Sequence, residues 1–397
     1  MSTPHNPDPA APDAASAGES SVWPGKPGSA AARAFTWIRK AACILAVAIM
    51  ATGLYYFAYP RVQKYRAVSQ LTDAGFRFDE MTAAISLDKK EATAIATLDD
   101  ISLALRHLNP RRLDLTGCSS ITAVEHLPAA LEELYLTGCT GLTDVERLPE
   151  SLQKLSLFQC QSLTAVDHLP AGLQELDLSG CTGLSSVDNL PDGLQALSLF
   201  GCKGLTAVEH LPAGLQELDL RDCMGLTAVD DLPAGLRKLY LSACSSLKSV
   251  DHLPAGLKQL DFSVCTDLTG VDHLPAGLQE LNLSYCTALT AVDHLPAGLL
   301  KLELRLCKGL TGVDHLPTGL LYLDLSYCTG LTSLERLPEA LEHLNVDGCE
   351  KLERLGHLPA TLLSVDIQSC PALDVETRGR LQVWAKGGKD GERTLVE

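Results

Sequence analysis

Aromatic residues are scarce in this chain: Phe, Tyr and Trp make up only 5% of its 397 residues. That excludes a core built around large rings, and Leu, Gly and Asp carry the composition instead. Short catalytic signatures are missing too. No GxSxG elbow, phosphate-binding loop, GxGxxG or HExxH occurs, so the usual local ways of activating a serine, cradling a phosphate or holding a catalytic zinc are absent. Ser, His and Asp are plentiful, but they recur in columns where a triad would arise only by accident. The reading is non-enzymatic, with no catalytic residues, no cofactor and no metal.

Paired cysteines are also lacking. Of fourteen Cys, Cys43 lies in an apolar run. The other thirteen are Cys118, Cys139, Cys160, Cys181, Cys202, Cys223, Cys244, Cys265, Cys286, Cys307, Cys328, Cys349 and Cys370, each 21 residues from the next. Zinc sites and disulfide frameworks use paired or irregular spacings. One thiol per repeat at one place is a structural column, and so many free thiols favour a reducing compartment for the repeats.

Positive charge is in short supply. The net charge is −17, and residues 1–66 run against it with seven Lys/Arg and three Asp/Glu. The remainder therefore carries −21. So acidic a domain repels phosphate backbones, which argues against nucleic acid and for an unknown protein partner of neutral or basic surface. Acidity also keeps a long solenoid soluble, and that reading stands beside the first.

Only one long apolar run exists. Residues 1–34, rich in Pro, Ala, Ser and Gly, bury too little to offset ordering entropy and read as disordered. Residues 41–59 (AACILAVAIMATGLYYFAY) contain no charge and as a helix would span roughly 28 Å, close to a bilayer core. Arg39 and Lys40 flank one end and Arg61, Lys64 and Arg66 the other, while Tyr55, Tyr56 and Tyr59 crowd the far end as interfacial aromatics do. The expectation is a transmembrane helix within 35–60, making a single-pass membrane protein of undetermined orientation. Residues 61–108 read as short helices forming an N-terminal cap, because a terminal coil otherwise exposes its core edge. Residues 374–397 read as a C-terminal cap and tail.

Between them, 109–373 repeats one unit thirteen times: LxxLxLxxCxxLxxVxxLPxx, as in Leu173 to Gly193. The LxL stretch alternates and predicts a short strand, with Leu176 and Leu178 inward and Asp177 and Ser179 on the open face. One unit cannot bury its apolar stripe alone; stacked units share one core through parallel strands. Leu190-Pro191 and its equivalents end the back segment in extended backbone. The Gly two residues after Pro permits the return into the next strand.

LxxLxLxxC is the leucine-rich-repeat signature in a cysteine-containing form. The LPxxLxxLxL junction, Leu211 to Leu220, resembles the short LPX repeats of bacterial effector proteins secreted into host cells. It departs from them in having Cys where Asn is common and one extra residue per unit. The resemblance implies an α/β-type repeat solenoid, a leucine-rich-repeat horseshoe of about thirteen coils with parallel concave strands. Some such effectors continue into a large ubiquitin-ligase domain; 27 residues follow Cys370, and the expectation is that no such domain is present.

Two constellations could carry function. Acid–His pairs at Asp251-His252, Asp272-His273, Asp293-His294 and Asp314-His315 could bind a metal, but ligands in one row rarely surround an ion, and a solvated edge is the simpler reading. On the open face, the column from Asp114 to Asp366 between the strand leucines has seven acids and no base. The next column holds Phe158, Phe200, Arg221 and Arg305. Exposed aromatics and Arg are what interface hot spots are made of. The expected partner-binding set is therefore Tyr135, Phe158, Asp177, Phe200, Asp219, Arg221, Tyr240 and Arg305. Tyr285, Tyr322 and Tyr327 form a second group. Together these features predict a membrane-anchored protein-interaction module. Alternatives are a secreted effector acting on a host protein or as an adaptor for host ubiquitination, and a structural spacer.

Overall fold

Each coil bonds to the next in the same register throughout the repeat. The computed structural model describes residues 40, 44, 45, 48, 52, 58–87, 95, 97–229, 232–250, 252–387 and 393–397. They divide into two units, Met1–Val62 and Gln63–Glu397.

The described residues of the first unit are helical. The segment read as disordered, 1–34, and most of 41–59 lie outside the described residues. Among the described residues no helix is long and apolar enough to cross a membrane. The expectation of a single-pass, membrane-anchored protein is corrected accordingly. The described helical stretch beyond residue 58 carries Arg61, Lys64 and Arg66. Each such charge costs about 2.5–3.5 kcal/mol at a bilayer centre.

In the second unit, residues 63–73 (α1) bury Ala67 and Leu71, one helical turn apart. The chain then leaves the helix at Gly75, φ 83°, and forms an antiparallel hairpin of β1 (Phe76–Asp79) and β2 (Ala84–Leu87). The stretch read as helical thus contains strands: Phe76 and Ile85 are fully buried, and alternation rather than helical spacing places them. A 3-10 turn (Leu98–Ile101) and α2 (Ser102–Leu108) complete the cap, and α2 ends on left-handed Asn109. β2 pairs in parallel with β3, so the hairpin covers the first coil's edge.

The coils contribute thirteen three-residue strands, from β3 (Arg112–Asp114) to β17 (Ser364–Asp366), all parallel. Two-residue strands β14 (Ser333–Leu334) and β16 (Arg354–Leu355) form a separate small sheet. Equivalent residues pair, Leu155 with Leu176 and Leu176 with Leu197. At the far end α3 (Val375–Lys386) starts on Asp374, whose carboxylate accepts from the Thr377 amide at 2.6 Å, and buries Leu381 and Trp384. β18 (Thr394–Val396) then pairs with β17 and covers the last edge.

The core is a stack of leucines, valines and thiols. In the coil of Cys181, Leu173, Leu176, Leu178, Leu184 and Val187 are all at most 2% exposed. After each strand the chain turns in two steps: the Cys181 amide donates to Leu178 O and the Leu184 amide to Cys181 O, each at 3.1 Å. The thiol ties coils together. Cys181 Sγ donates to Leu157 O of the preceding coil at 3.2 Å, and the same carbonyl accepts the Cys160 amide at 3.0 Å. One buried carbonyl therefore has both lone pairs filled. The same rung recurs from Cys139 to Leu115 O through Cys370 to Val346 O.

Turning at the cysteine requires the preceding residue to be left-handed. Gly holds that place at 117, 138, 180, 201 and 348, but Gln159, Asp222, Ala243, Val264, Tyr285, Leu306, Tyr327 and Ser369 hold it elsewhere, with φ between 50° and 65°. The left-handed region costs a side-chain-bearing residue roughly 1–2 kcal/mol. The Gly two residues after Pro, present in eight coils while Ala130, Ser151, Ala340 and Thr361 hold the place in others, has another cause. At Gly193 a Cβ would lie 2.9 Å from Ala171 O of the preceding coil, so close approach, not a positive φ, requires glycine there. Stacked coils, a parallel strand per coil and a buried side chain bonding each turn to the last together make this a leucine-rich-repeat solenoid.

Candidate functional site

Alternation along each strand sends one residue inward between two that face out. In β6 (Glu175–Asp177), Leu176 is buried while Glu175 and Asp177 stand on the open face. Along the first outward column unlike charges often meet across adjacent strands. Arg112 lies 3.2 Å from Glu133, Lys154 2.5 Å from Glu175 and Lys238 2.9 Å from Glu217. Such exposed pairs are worth about 0–1 kcal/mol each, so they orient side chains more than they hold coils together.

The second outward column contains the acids, and the structure gives many of them a local task. The carboxylates of Asp114, Asp177, Asp219, Asp261, Asp324 and Asp366 each accept from the amide two residues on, at 2.8–3.0 Å. Asn282 and Asn345 do the same with their side-chain oxygens. These are Asx turns, which fold the chain out of the strand toward the left-handed residue. Asp-x-Ser in Asp177-Leu178-Ser179 and Asp261-Phe262-Ser263 is the sequence signal for them.

Of the expected partner-binding residues, four come together. Asp219 receives the Arg221 guanidinium in a two-pronged contact, Nη2 to Oδ2 at 2.6 Å and Nε to Oδ1 at 2.9 Å. The same guanidinium lies 5.5 Å from the Phe200 ring centre and 5.4 Å from that of Tyr240. Phe200 is 40% exposed. The Asp219 contact pushes the Arg221 pKa above its already high value, so the charge is permanent. Cation, acid and two rings thus occupy three successive coils.

The remaining residues sit apart from this cluster. Tyr135 lies under Arg112, 4.4 Å from ring centre to guanidinium, and its hydroxyl donates to Glu133 at 3.0 Å. Desolvation, then this bond, pushes its pKa up. Asp177 belongs to a hydroxyl network, accepting from Ser179 Oγ at 2.5 Å and from Ser156 Oγ at 3.4 Å, and Ser179 and Ser198 share a 2.7 Å bond. Phe158 is half-buried beside these serines. Arg305 covers the Tyr327 ring at 5.6 Å, and the Tyr327 hydroxyl bonds Asp347, which raises its pKa. Arg112 and Asp347 went unnoticed in the sequence because only three-dimensional stacking joins them to their tyrosines.

Two shallow recesses flank the Arg221 cluster. One, of about 370 Å³, runs from Tyr135 to Asp219 over Ser156, Ala196 and Ser198, where small side chains leave space. Its walls bring one cation, Lys154, against Glu175, Asp177, Glu217 and Asp219. The other, of about 520 Å³, runs from Tyr240 to Glu303 and gathers Arg237, Lys238, Lys258 and Lys301 against Asp261, Glu280 and Glu303.

The other columns offer less chemistry. All thirteen repeat thiols are buried and none is in a disulfide. Burial pushes their pKa values up, to about 11 at Cys160 and about 12 at Cys244, so they are neutral donors rather than nucleophiles. Left-handed backbone explains much of the His column. His126, His168, His210, His252, His273 and His294, and Asn189, have φ of 54–63°. His and Asn tolerate that region better than most residues. His294 lies 4.0 Å from Asp272 and His315 3.9 Å from Asp293, all well exposed. Asp251 lies outside the described residues. Among the described residues no three His, Cys, Asp or Glu side chains converge as metal ligands.

No protein-family profile matches the chain, and no curated protein does. Solved structures similar to it include YopM from Yersinia enterocolitica WA-314, with 20% identity, a TM-score of 0.42, and coverage of 78% of this chain and 84% of that one. A leucine-rich-repeat protein from Bacteroides ovatus ATCC 8483 has 16% identity and a TM-score of 0.45 over 81% of this chain and 98% of that one. The leucine-rich effector protein YopM from Yersinia pestis has 22% identity and a TM-score of 0.45 over 67% and 75%. At these scores, what those proteins do stays with them.

Proposed function

We propose that this protein is a protein-interaction module whose strand face, centred on Arg221, binds a segment of another protein. The observation that carries the reading is the Arg221 cluster itself. The repeat does not need it: most coils have Ser or Thr at the Arg221 position. A guanidinium held in place by Asp219 and lined by two rings has little side-chain entropy left to lose on binding. Recesses on both sides give a partner somewhere to seat its own side chains. The acid-walled recess favours basic residues of the partner, in keeping with a net charge of −17 that disfavours phosphate backbones.

The test is affinity capture with the full chain, followed by titration of the captured partner. Arg221→Ala and Phe200→Ala are each expected to weaken it about 30-fold or more, the scale of a hot-spot residue. Phe158→Ala should weaken it less. Unchanged affinity in both the Arg221 and Phe200 variants would falsify the assignment.

A further inference from the structure

In four successive coils the left-handed place before the cysteine is filled by a large apolar side chain: Val264, Tyr285, Leu306 and Tyr327, with φ of 64°, 65°, 59° and 59°. The same place is glycine in five other coils of the same chain, so the fold accepts glycine there. Val is among the least suited residues to that backbone, because its branched Cβ crowds the carbonyl. The strain is not offset by full burial. Val264, Tyr285 and Tyr327 are 41%, 43% and 38% exposed, and Leu306 is half-buried. The next coil even makes room for the last ring: a Cβ on Gly348 would lie 2.5 Å from Tyr327 Cδ1. Val264 and Tyr285 thus strain the backbone while standing largely in water, which stability alone does not require, whereas Tyr327 is also tied to Asp347 and Arg305.

We infer that Val264, Tyr285, Leu306 and Tyr327 form a docking stripe for an amphipathic, acid-flanked α-helix of a partner protein, separate from the Arg221 cluster. Spacing selects the helix. The stripe advances one coil at a time, about 4.8 Å, or about 14 Å from first to last. A helix laid along it presents a side chain every 5.4 Å turn, about 16 Å over three turns. An extended segment presents one every ~6.7 Å, about 20 Å over the same three steps, and falls out of step. Charge selects the flank. Arg305 and Lys308 stand exposed on either side of Leu306, and Arg305 already covers the Tyr327 ring at 5.6 Å. On a chain of net charge −17, these two cations in the Leu306 coil, between Asp267 near the stripe's first end and Asp347 at its last, mark the middle of the stripe as the place for carboxylates.

The experiment is selection of displayed 16-residue amphipathic helical peptides on the full chain. Counter-selection uses a variant carrying V264G, Y285G, L306G and Y327G. Enriched peptides should carry apolar residues at i, i+4, i+7 and i+11 with Asp or Glu alongside, and should bind the glycine variant at least 10-fold more weakly. The Tm of a variant carrying V264G and Y285G alone, which keeps Tyr327 and its bond to Asp347, should be unchanged or raised. A charge-reversed variant, Arg305→Glu with Lys308→Glu, keeps the stripe and should lose at least 10-fold affinity for the same peptides. No enrichment, enrichment of alternating or Lys-flanked peptides, equal binding to the charge-reversed variant, or a Tm drop above 5 °C in the variant carrying V264G and Y285G alone overturns the proposal. A wild-type dimer that dissociates in the glycine variant would also overturn it, assigning the stripe to a second copy of the chain.

Discussion

A cysteine that neither reacts nor crosslinks has a narrow purpose, and here it is to close a carbonyl. From Cys139 to Cys370 each Sγ–H fills the second lone pair of a buried carbonyl in the preceding coil, where an Asn amide could serve in similar repeats. Cys244→Ala removes one such donor, to Leu220 O at 3.1 Å, and leaves a buried acceptor half-satisfied. The expected cost is about 1–2 kcal/mol, read as a lower urea midpoint at unchanged m-value. Thiol reagents at pH 8 should leave the repeat cysteines unlabelled until denaturant is added. The column was legible in the sequence because its 21-residue spacing was its own explanation. The acids beside it were legible only by position. Asp177 and Asp219 read as partner contacts, yet each also holds a turn amide, and a carboxylate bond to its own backbone has no long-range signature in a sequence.

At the scale of elements, both ends of the sheet are finished by strands: the β1–β2 hairpin before the first coil and β18 after the last. Deleting residues 394–396 should speed exchange of the Ile367 amide, which donates to Val396 O at 2.8 Å, at least 10-fold and leave Glu175–Asp177 unchanged, because each coil touches only its neighbours. Exchange rising equally along the array would refute that localisation. The coil strands could be read directly, since thirteen copies of LxLxx average out ambiguity. The N-terminal hairpin could not. Phe76, Phe78, Ile85 and Leu87 belong to two four-residue strands, and runs that short fit a helix almost as well as a strand.

For the whole molecule, the repeated thiol makes a collective prediction. Folding raises each thiol pKa from 9.0 to about 11 or above at most rungs, so between those values the unfolded chain has lost protons that the folded chain keeps. Stability is then fully present below pH 9 and falls as pH rises. The slope is about 1.4 kcal/mol per pH unit for each thiol. With thirteen acting in one direction, a reserve of ~5–15 kcal/mol is exhausted within roughly one pH unit above 9. Circular dichroism against pH should show sharp, cooperative loss there, and a broad transition centred above pH 11 would contradict it. The fold was legible at this scale; the apolar run at 41–59 misled, because composition gave a span and the flanking charges gave it ends. Part of the candidate face was legible as well. Phe200, Asp219, Arg221 and Tyr240 converge, while Tyr135, Phe158 and Arg305 sit in coils too distant to join them.

The thiol rung reaches back 24 residues, one unit plus three, at every coil from Cys139 to Cys370. Removing or inserting 21 residues, or a multiple of 21, therefore hands each sulfur an equivalent acceptor, whereas any other number breaks a rung. Length in this protein is quantised, like the graduations of a ruler. The Arg221 cluster and the Val264–Tyr327 stripe are two marks on that ruler. Whole-unit insertion between them would move them apart in steps of about 4.8 Å without altering either. The distance between the two proposed binding sites is thus adjustable by copying or losing a single unit.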